Sequence, residues 1–362
     1  MTWFGKYAII TNVTGYIGYT QSMTIKSNSV TIRQVAQKAG VSVATVSRYI
    51  NRNAPISKEV EERLKVVMAE LRYVPHAAAR QLASKKTRVI GLLLTNMHND
   101  FFAPLLNGIE LVIREHKYNL LVATNHANEG ADVVPPLGFH NTDGLLVFAD
   151  SLTDKELINL YKSEFPVVLI HRSSPVSARI PSVTVENKAA TFKLMEHLMH
   201  KHNKCRIILM RGPVHQEDAY WREIGYKSAL EANGIPFDEN LSLHGGFERD
   251  IAYESLNEFL ENKEHVDFDS IFASDDDAAI GVIAALTEHG YRVPEDIAVV
   301  GFNDARLSAF LTPSLTTVSA PTYSVGRIAA EQLFSLFDKQ YPEEVTLLPT
   351  ELIIRRSCGC NA

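Results

Sequence analysis

The sequence predicts an all-α helix-turn-helix head joined to an α/β body of two doubly wound parallel-sheet lobes. The first observation behind this is a split in charge. From Met23 to Arg88 there are 13 Lys and Arg against 4 Asp and Glu, and from Val89 onward 22 against 38, in a chain of 362 residues with a net charge of −6. The second is pattern: short capped helices follow one another in the basic part, whereas strand-like apolar runs alternate with helix-like stretches in the acidic part. The third is size, since the chain is about twice the usual single-domain length. Its 46% hydrophobic and 22% charged residues are ordinary globular values, which excludes a disordered, collagen-like or repeat-biased chain.

In the head, Thr31 stands as an N-cap with Gln34 three residues on, the spacing of a capping box, and Gly40 closes that helix. Ser42 caps a second helix to Asn51, with Val46 and Ile50 four apart. Ile32, Val35, Ala36, Val41, Val46 and Ile50 form one apolar seam, leaving Val43, Ala44, Thr45, Ser47, Arg48 and Asn51 outward. Two short helices joined by a Gly-containing turn make a helix-turn-helix. Small, methyl-bearing and hydrogen-bonding side chains on its second helix suit the major groove, where thymine offers a methyl and guanine offers acceptors. The positive head points the same way, to a polyanionic partner, while the acidic body opposes indiscriminate attachment to nucleic acid. A third helix runs from Ser57 to Leu71 on the stripe Val60, Leu64, Val67, Met68 and Leu71. Beyond Pro75 comes an alanine-rich stretch whose one large apolar residue is Leu82. About nine residues of helix are marginal alone in water, so this stretch forms only when something holds it.

The run from Thr31 to Asn51, followed by Tyr73-Val-Pro75 and Ala79-Arg-Gln-Leu-Ala83, resembles the head of LacI/GalR-type bacterial transcription regulators. The resemblance implies that Ser42 to Asn51 lie in the major groove, with Thr31, Ser42, Val43, Ala44, Thr45, Ser47, Arg48 and Asn51 as DNA contacts. It also implies a hinge helix over 76–83, folding on DNA beside its counterpart from a second subunit, with Leu82 wedged into a minor-groove step and Arg80 on phosphate. An apolar wedge unstacks a step and bends the duplex, and the bend brings more protein into contact. A sequence-specific regulator follows, a repressor in preference to an activator, bound as a homodimer to palindromic double-stranded operator DNA. No C-terminal leucine heptad is evident, which favours the dimer over a tetramer. The location implied is cytoplasmic, at the nucleoid.

The resulting domain plan has an N-terminal extension over 1–28, the helix-turn-helix domain over 29–74, the hinge and linker over 75–88, the body over 89–358 and a tail over 359–362. Met23 is a natural start, so 1–22 are set aside from fold reasoning.

In the body, Val89–Leu94, Leu120–Thr124, Gly144–Phe148 and Val167–Ile170 read as strands of a parallel sheet covered on both faces, with a helix from Pro104 to His116. Arg206–Met210, Ser270–Ala273 and Ala298–Gly301, with helices Tyr220–Asn233 and Ala278–His289, repeat the scheme in a second half. This resembles the periplasmic-binding-protein-like effector body of the same family, over nearly all of 89–358. Strand ends facing one another across a cleft form a pocket for a small polar molecule. By position or by resemblance, Asn99, Phe102, Arg172, Arg222, Phe247, Asp275 and Asn303 are the effector contacts. Carboxylate, amide and guanidinium groups pair with adjacent hydroxyls while an aromatic face covers the apolar side of a ring, so the effector expected is a sugar.

Two departures stand out. The family usually has Asn then an acidic residue after one strand and Asp-Asp after the next, whereas this chain has Asp275 first and then Asn303-Asp304, keeping one amide and one carboxylate. Gly130 and Pro135-Pro136 interrupt the stretch where a crossover helix belongs, and a proline inside a helix costs about 3 kcal/mol or more, so that helix is expected to be truncated or lost.

Other chemistry is disfavoured. Cys205, Cys358 and Cys360 cannot make a disulfide framework or zinc-ribbon spacing, which suits a reducing or indifferent compartment. His197, His200 and His202 lack a matching carboxylate cluster and the His-Glu-x-x-His order, so neither metal nor cofactor is expected. Asp275-Asp276-Asp277 reads as a helix cap or ligand contact in preference to a cation site. No phosphate loop, dinucleotide fingerprint or nucleophile elbow occurs in the body, which weighs against an enzyme. No apolar run reaches membrane-spanning length. A solute receptor for transport would need an export signal and no DNA-reading head, the reverse of what this chain offers.

Overall fold

The computed structural model describes residues 30–51, 54–73, 86–97, 100–125, 135–262 and 267–361. Its contacts divide the chain into two units, with the boundary between Lys85 and Lys86.

The first unit holds α1 (Ile32–Ala39), α2 (Val43–Asn51) and α3 (Lys58–Glu70). Local chemistry sets each end. Thr31 and Gln34 form the capping box, with the Thr31 N–H donating to Gln34 at 2.7 Å, and Gly40 takes the left-handed conformation at φ 64°. Ser42 accepts from the Thr45 N–H at 3.0 Å, and Ser57 accepts from the Val60 N–H at 3.4 Å. Helices this short are unstable alone, so packing holds them. Val35, Ala36, Ala39, Val46, Leu64 and Val67 are buried together, each larger one stabilising by about 1.5–3 kcal/mol. Ile32, Val41, Ile50, Val60, Met68 and Leu71 pack against them from partly exposed positions.

The second unit begins with β1 (Val89–Leu94), α4 (Phe102–Glu115), β2 (Asn119–Thr124), β3 (Gly144–Phe148), α5 (Asp154–Lys162), β4 (Val167–Ile170) and β5 (Ser182–Val185). Next come α6 (Lys188–Glu196), which runs into a π-helical turn over His197–Lys201, then β6 (Ile207–Arg211), α7 (Glu217–Ala232) and β7 (Ser242–His244). The chain continues through α8 (Arg249–Asn262), β8 (Ser270–Ala273), α9 (Asp276–Glu288), β9 (Ala298–Val300) and β10 (Thr317–Ser319). It ends with α10 (Thr322–Phe337), β11 (Val345–Leu348) and β12 (Glu351–Ile353).

One lobe is a six-stranded parallel sheet in the order β11-β5-β4-β3-β1-β2, and the other a four-stranded parallel sheet in the order β7-β6-β8-β9. The lobes are not consecutive halves of the sequence. After β10 the chain returns to the first lobe, where α10 packs on α4 and β11 pairs with β5, before β12 pairs antiparallel with β10. Three passages therefore join the lobes: β5 to α6, β10 to α10, and β11 to β12. The α4–α10 contact brings backbone against backbone. A Cβ at Gly108 would lie 2.1 Å from the Tyr323 carbonyl oxygen, and one at Gly326 would lie 2.3 Å from that of Leu105.

Between β2 and β3, residues 126–134 lie outside the described residues, and 135–143 form turns instead of a helix. The Asn141 amide donates to the Pro136 carbonyl at 2.9 Å, and Leu137 is buried against the sheet. Over the described part of the stretch, 135–141, turns follow the prolines at 135 and 136, and the rest of the expected helix lies outside the described residues.

Candidate functional site

On the head, one turn of α2 separates two environments: Val46 is fully buried while Val43 is 42% exposed. Ser42, Ala44 and Arg48 are exposed, Thr45 and Ser47 are half-exposed, and Thr31 is exposed at the start of α1. These residues are accessible on the capped helix pair. Arg80, Leu82 and the side chain of Asn51 lie outside the described residues.

On the body, the carboxyl ends of strands from both sheets converge on a cavity of 230 Å³. In each lobe the strand order reverses beside the first strand, at β1 or β6, and such a switch point leaves a crevice outside the strand ends. Thr95 and Asn96 follow β1, Phe148 and Asp150 close β3, and His171 follows β4. From the other lobe come Pro213 after β6, Phe247 after β7, Asp275 after β8 and Asn303 after β9.

Arg222, on α7, is the central group and is 1% exposed. Its Nε donates to Asn187 at 2.8 Å and its Nη1 to the Ser274 carbonyl at 2.6 Å. Nη2 donates to Oδ1 of Asn303 at 3.3 Å, while the guanidinium lies 3.8 Å from the Phe302 ring centroid and 5.1 Å from that of Phe247. The Asn303 amide in turn donates to Asp275 at 2.5 Å. Burial pushes the Asp275 carboxyl up to about 6, against the opposing pull of Arg222 and its hydrogen bonds.

One turn before Arg222, Asp218 accepts from the Asn187 amide at 2.8 Å, and its other carboxylate oxygen lies 2.8 Å from Nδ1 of His171. Burial alone would raise Asp218, but His171, Arg222 and Asn187 outweigh it and hold the carboxyl below its usual range. The other His171 nitrogen, Nε2, is buried on the wall of the cavity with no hydrogen-bond partner among the described residues. Aromatic rings of Phe101, Phe102 and Phe148 pack around it at 5.2–5.8 Å from one another or from His171. The cavity thus offers a cation, carboxylates, amides and an imidazole between aromatic faces. A second cavity of 450 Å³, between the starts of α4 and α10 and the 303–307 segment, shares Phe101, Asp275 and Asn303 with the first.

Of the effector positions expected from sequence, Phe102, Arg222, Phe247, Asp275 and Asn303 line the smaller cavity. Asn99 lies outside the described residues. Arg172 is a correction: it lines neither cavity. Its guanidinium donates to the carbonyls of Ala149 at 3.2 Å and Leu152 at 2.6 Å and pairs with Asp154 at 2.6 Å. Its neighbour His171, left-handed at φ 58° just beyond β4, takes the cavity wall instead. Sequence reasoning also missed Asp218 and Asn187. Asp218 was findable, because it lies four residues before Arg222 on one helix face.

Asp276 is buried but does not line either cavity. It accepts from Ser308 and Thr317 hydroxyls at 2.6 Å each and from the Ala305 N–H at 2.7 Å, and burial raises it to about 7. It binds the loop after β9 to the start of α9, so its part in the triple-aspartate run is structural.

Residues 31–76 match the bacterial regulatory proteins of the lacI family, and residues 195–358 match the periplasmic binding protein-like domain. Catabolite control protein A of Priestia megaterium is 31% identical over 91% of this chain and 99% of its own. The ribose operon repressor of Halalkalibacterium halodurans is 33% identical over 90% of this chain and 96% of its own. Among solved structures, the lac repressor dimer bound to operator and the anti-inducer ONPF is 26% identical with a TM-score of 0.75, covering 91% of this chain and 99% of that one. The complex of the transcriptional regulator CelR with cellobiose is likewise 26% identical, with a TM-score of 0.64 and the same coverage. A helix-turn-helix unit followed by a two-lobed periplasmic-binding-protein-like body defines a DNA-binding transcription regulator. The chain belongs to the LacI family of bacterial regulatory proteins. No helix among the described residues is long and apolar enough to cross a membrane.

Proposed function

We propose that this chain is an operator-binding repressor that acts as a homodimer and is controlled by a sugar in the 230 Å³ interlobe cavity. The observation that carries the reading is the relay from Arg222 through Asn303 to Asp275 beneath Phe247, which presents a planar cation, an amide and a carboxylate to adjacent hydroxyls. The exchange of amide and carboxylate between positions 275 and 303 keeps that set intact. Relatives support the reading: the structural neighbour CelR holds cellobiose, and the lac repressor neighbour is a dimer on its operator. One helix-turn-helix reads a short half-site, and a two-fold pair reads a palindrome.

In this reading α2 enters the major groove with Val43, Ala44, Thr45, Ser47 and Arg48, and the hinge with Arg80 and Leu82 orders on DNA. Sugar bound between the lobes favours one closure state, and its different affinity for the two states is the coupling, typically about 1–3 kcal/mol. The test is a thermal-shift screen of the full chain against sugars and nucleobases. A ligand at about 100 times its Kd stabilises by about 2.7 kcal/mol. A sugar that raises Tm in the parent and not in Arg222→Lys supports the reading. A response to nucleobases alone, or an equal sugar response in the variant, contradicts it.

A further inference from the structure

Away from the cleft, four ligand-type side chains converge where the end of α6 meets the C-terminal tail. His197 and His202 bracket the π-helical turn, Cys358 and Cys360 follow β12, and their ligand atoms all lie within 4.8 Å of one another. The two segments are 156–163 positions apart in the chain. An α-helical spacing pairs His197 with His200, but His200 is exposed and lies 3.3 Å from Glu196. The π turn steps its hydrogen bonds by five, which puts His202 on the face of His197 with their Nε2 atoms 3.3 Å apart. On the tail, Gly359 has φ 101°, and a Cβ there would press to 3.3 Å from the His202 ring. Glycine lets the chain turn over the imidazole so that both thiols face it.

The distances decide what the cluster does. Nε2 of His197 has three neighbours: Nε2 of His202 at 3.3 Å, Sγ of Cys358 at 3.5 Å and Sγ of Cys360 at 3.8 Å. Cys360 is also 3.3 Å from Nε2 of His202. A neutral ring nitrogen has one proton or one lone pair to offer, so a hydrogen bond serves one such contact and leaves the others unexplained. Around tetrahedral zinc, with bonds of about 2.0–2.1 Å to nitrogen and about 2.3 Å to sulfur, the edges are roughly 3.3 Å between nitrogens and roughly 3.6 Å between nitrogen and sulfur. Four of the cluster's edges, at 3.3–3.8 Å, fall close to those of such a tetrahedron, and the remaining two are no longer than 4.8 Å. Imidazole and thiolate are the donor set that zinc takes, and the buried Thr316 hydroxyl, 3.1 Å from Cys358, is placed to orient that thiolate.

We propose that His197, His202, Cys358 and Cys360 form a structural zinc site that fastens the C-terminal tail to the second lobe. Four protein ligands leave no open position, so the ion holds structure and carries no reaction. The tail it fastens follows the last passage between the lobes, and is already stitched to β9 by Ser357, whose hydroxyl donates to the Val299 carbonyl at 2.6 Å. Metal binding adds its free energy to the folding of this segment.

The experiment is metal analysis of the full chain, expressed with zinc and dialysed, combined with thiol counting and cobalt exchange. One zinc per chain is expected, with thiolate-to-cobalt charge-transfer bands and tetrahedral d–d bands after exchange. Zinc is lost in Cys360→Ser and in His202→Asn and kept in Cys205→Ser, whose thiol is exposed elsewhere. A chelator lowers Tm in the parent. The proposal is overturned by a parent chain that purifies metal-free and takes up no cobalt, by a Cys358–Cys360 disulfide in it, or by full zinc occupancy in Cys360→Ser.

Discussion

Asn303 donates its side-chain amide to Asp275 across the wall between two cavities, at 2.5 Å. The same amide accepts from Arg222 at 3.3 Å, so a cation on one side and a carboxylate on the other lock its orientation. Asp275→Asn alone sets two NH2 groups against each other, and Asn303→Asp alone sets two carboxyls together. Each is expected to cost about 1–3 kcal/mol and to abolish the sugar-induced thermal shift. The double exchange restores every pairing, because the new carboxylate faces both Arg222 and the new amide, while that amide's oxygen still accepts from the Asp277 N–H, now at 2.7 Å from Asp275. A double-mutant cycle by chemical denaturation should therefore show strong positive coupling, with the double variant within about 1 kcal/mol of the parent. Additive losses would refute the relay.

The pH dependence of stability follows from the raised carboxyls. Asp275 at about 6 and Asp276 at about 7 bind a proton more tightly in the folded chain than at their ordinary 3.8. Their contribution to stability is therefore greatest at low pH and declines as pH rises from about 4 through about 7. Asp218, held low, acts in the opposite sense, losing its contribution only as pH falls below the ordinary carboxylate range. Asp276→Asn keeps an acceptor for Ala305 and Ser308 and turns an amide toward Thr317, so denaturation midpoints between about pH 4.5 and about pH 7.5 should fall less steeply in the variant. A slope equal to the parent's would exclude Asp276 as a source.

Arg172 separates stability from ligand response. Arg172→Ala removes the donors to Ala149, Leu152 and Asp154. A loss of about 1–3 kcal/mol is expected, with two carbonyls left short of a partner. The thermal shift produced by the effector, measured on the same samples, should survive. Loss of the shift at unchanged stability would place Arg172 in the cavity after all.

What the sequence made legible was local. The caps at Thr31, Ser42 and Ser57, the glycine at Gly40 and the continuous apolar strands are set by neighbours within a few residues, and the structure has them where the pattern put them. The return of α10 and β11 to the first lobe was not legible, because their amphipathic pattern is equally content on either sheet. Which of His171 and Arg172 turns inward is set by the left-handed backbone at His171, φ 58°, just beyond β4, and strand periodicity does not foretell that. The histidine and cysteine cluster was hidden for a third reason: its geometry needs a π turn and a contact between segments about 160 positions apart.

We propose that the α2 face grips a specific duplex and that the cleft governs the grip. Its most direct measurement is selection of genomic fragments by the purified full chain at about 0.15 M salt, with and without the sugar found by thermal shift. Enrichment of an inverted-repeat site, reduced about 10-fold or more by Arg48→Ala and shifted by the sugar, is the expected result. Retention of all fragments equally, in the presence and absence of every stabilising ligand, would contradict it.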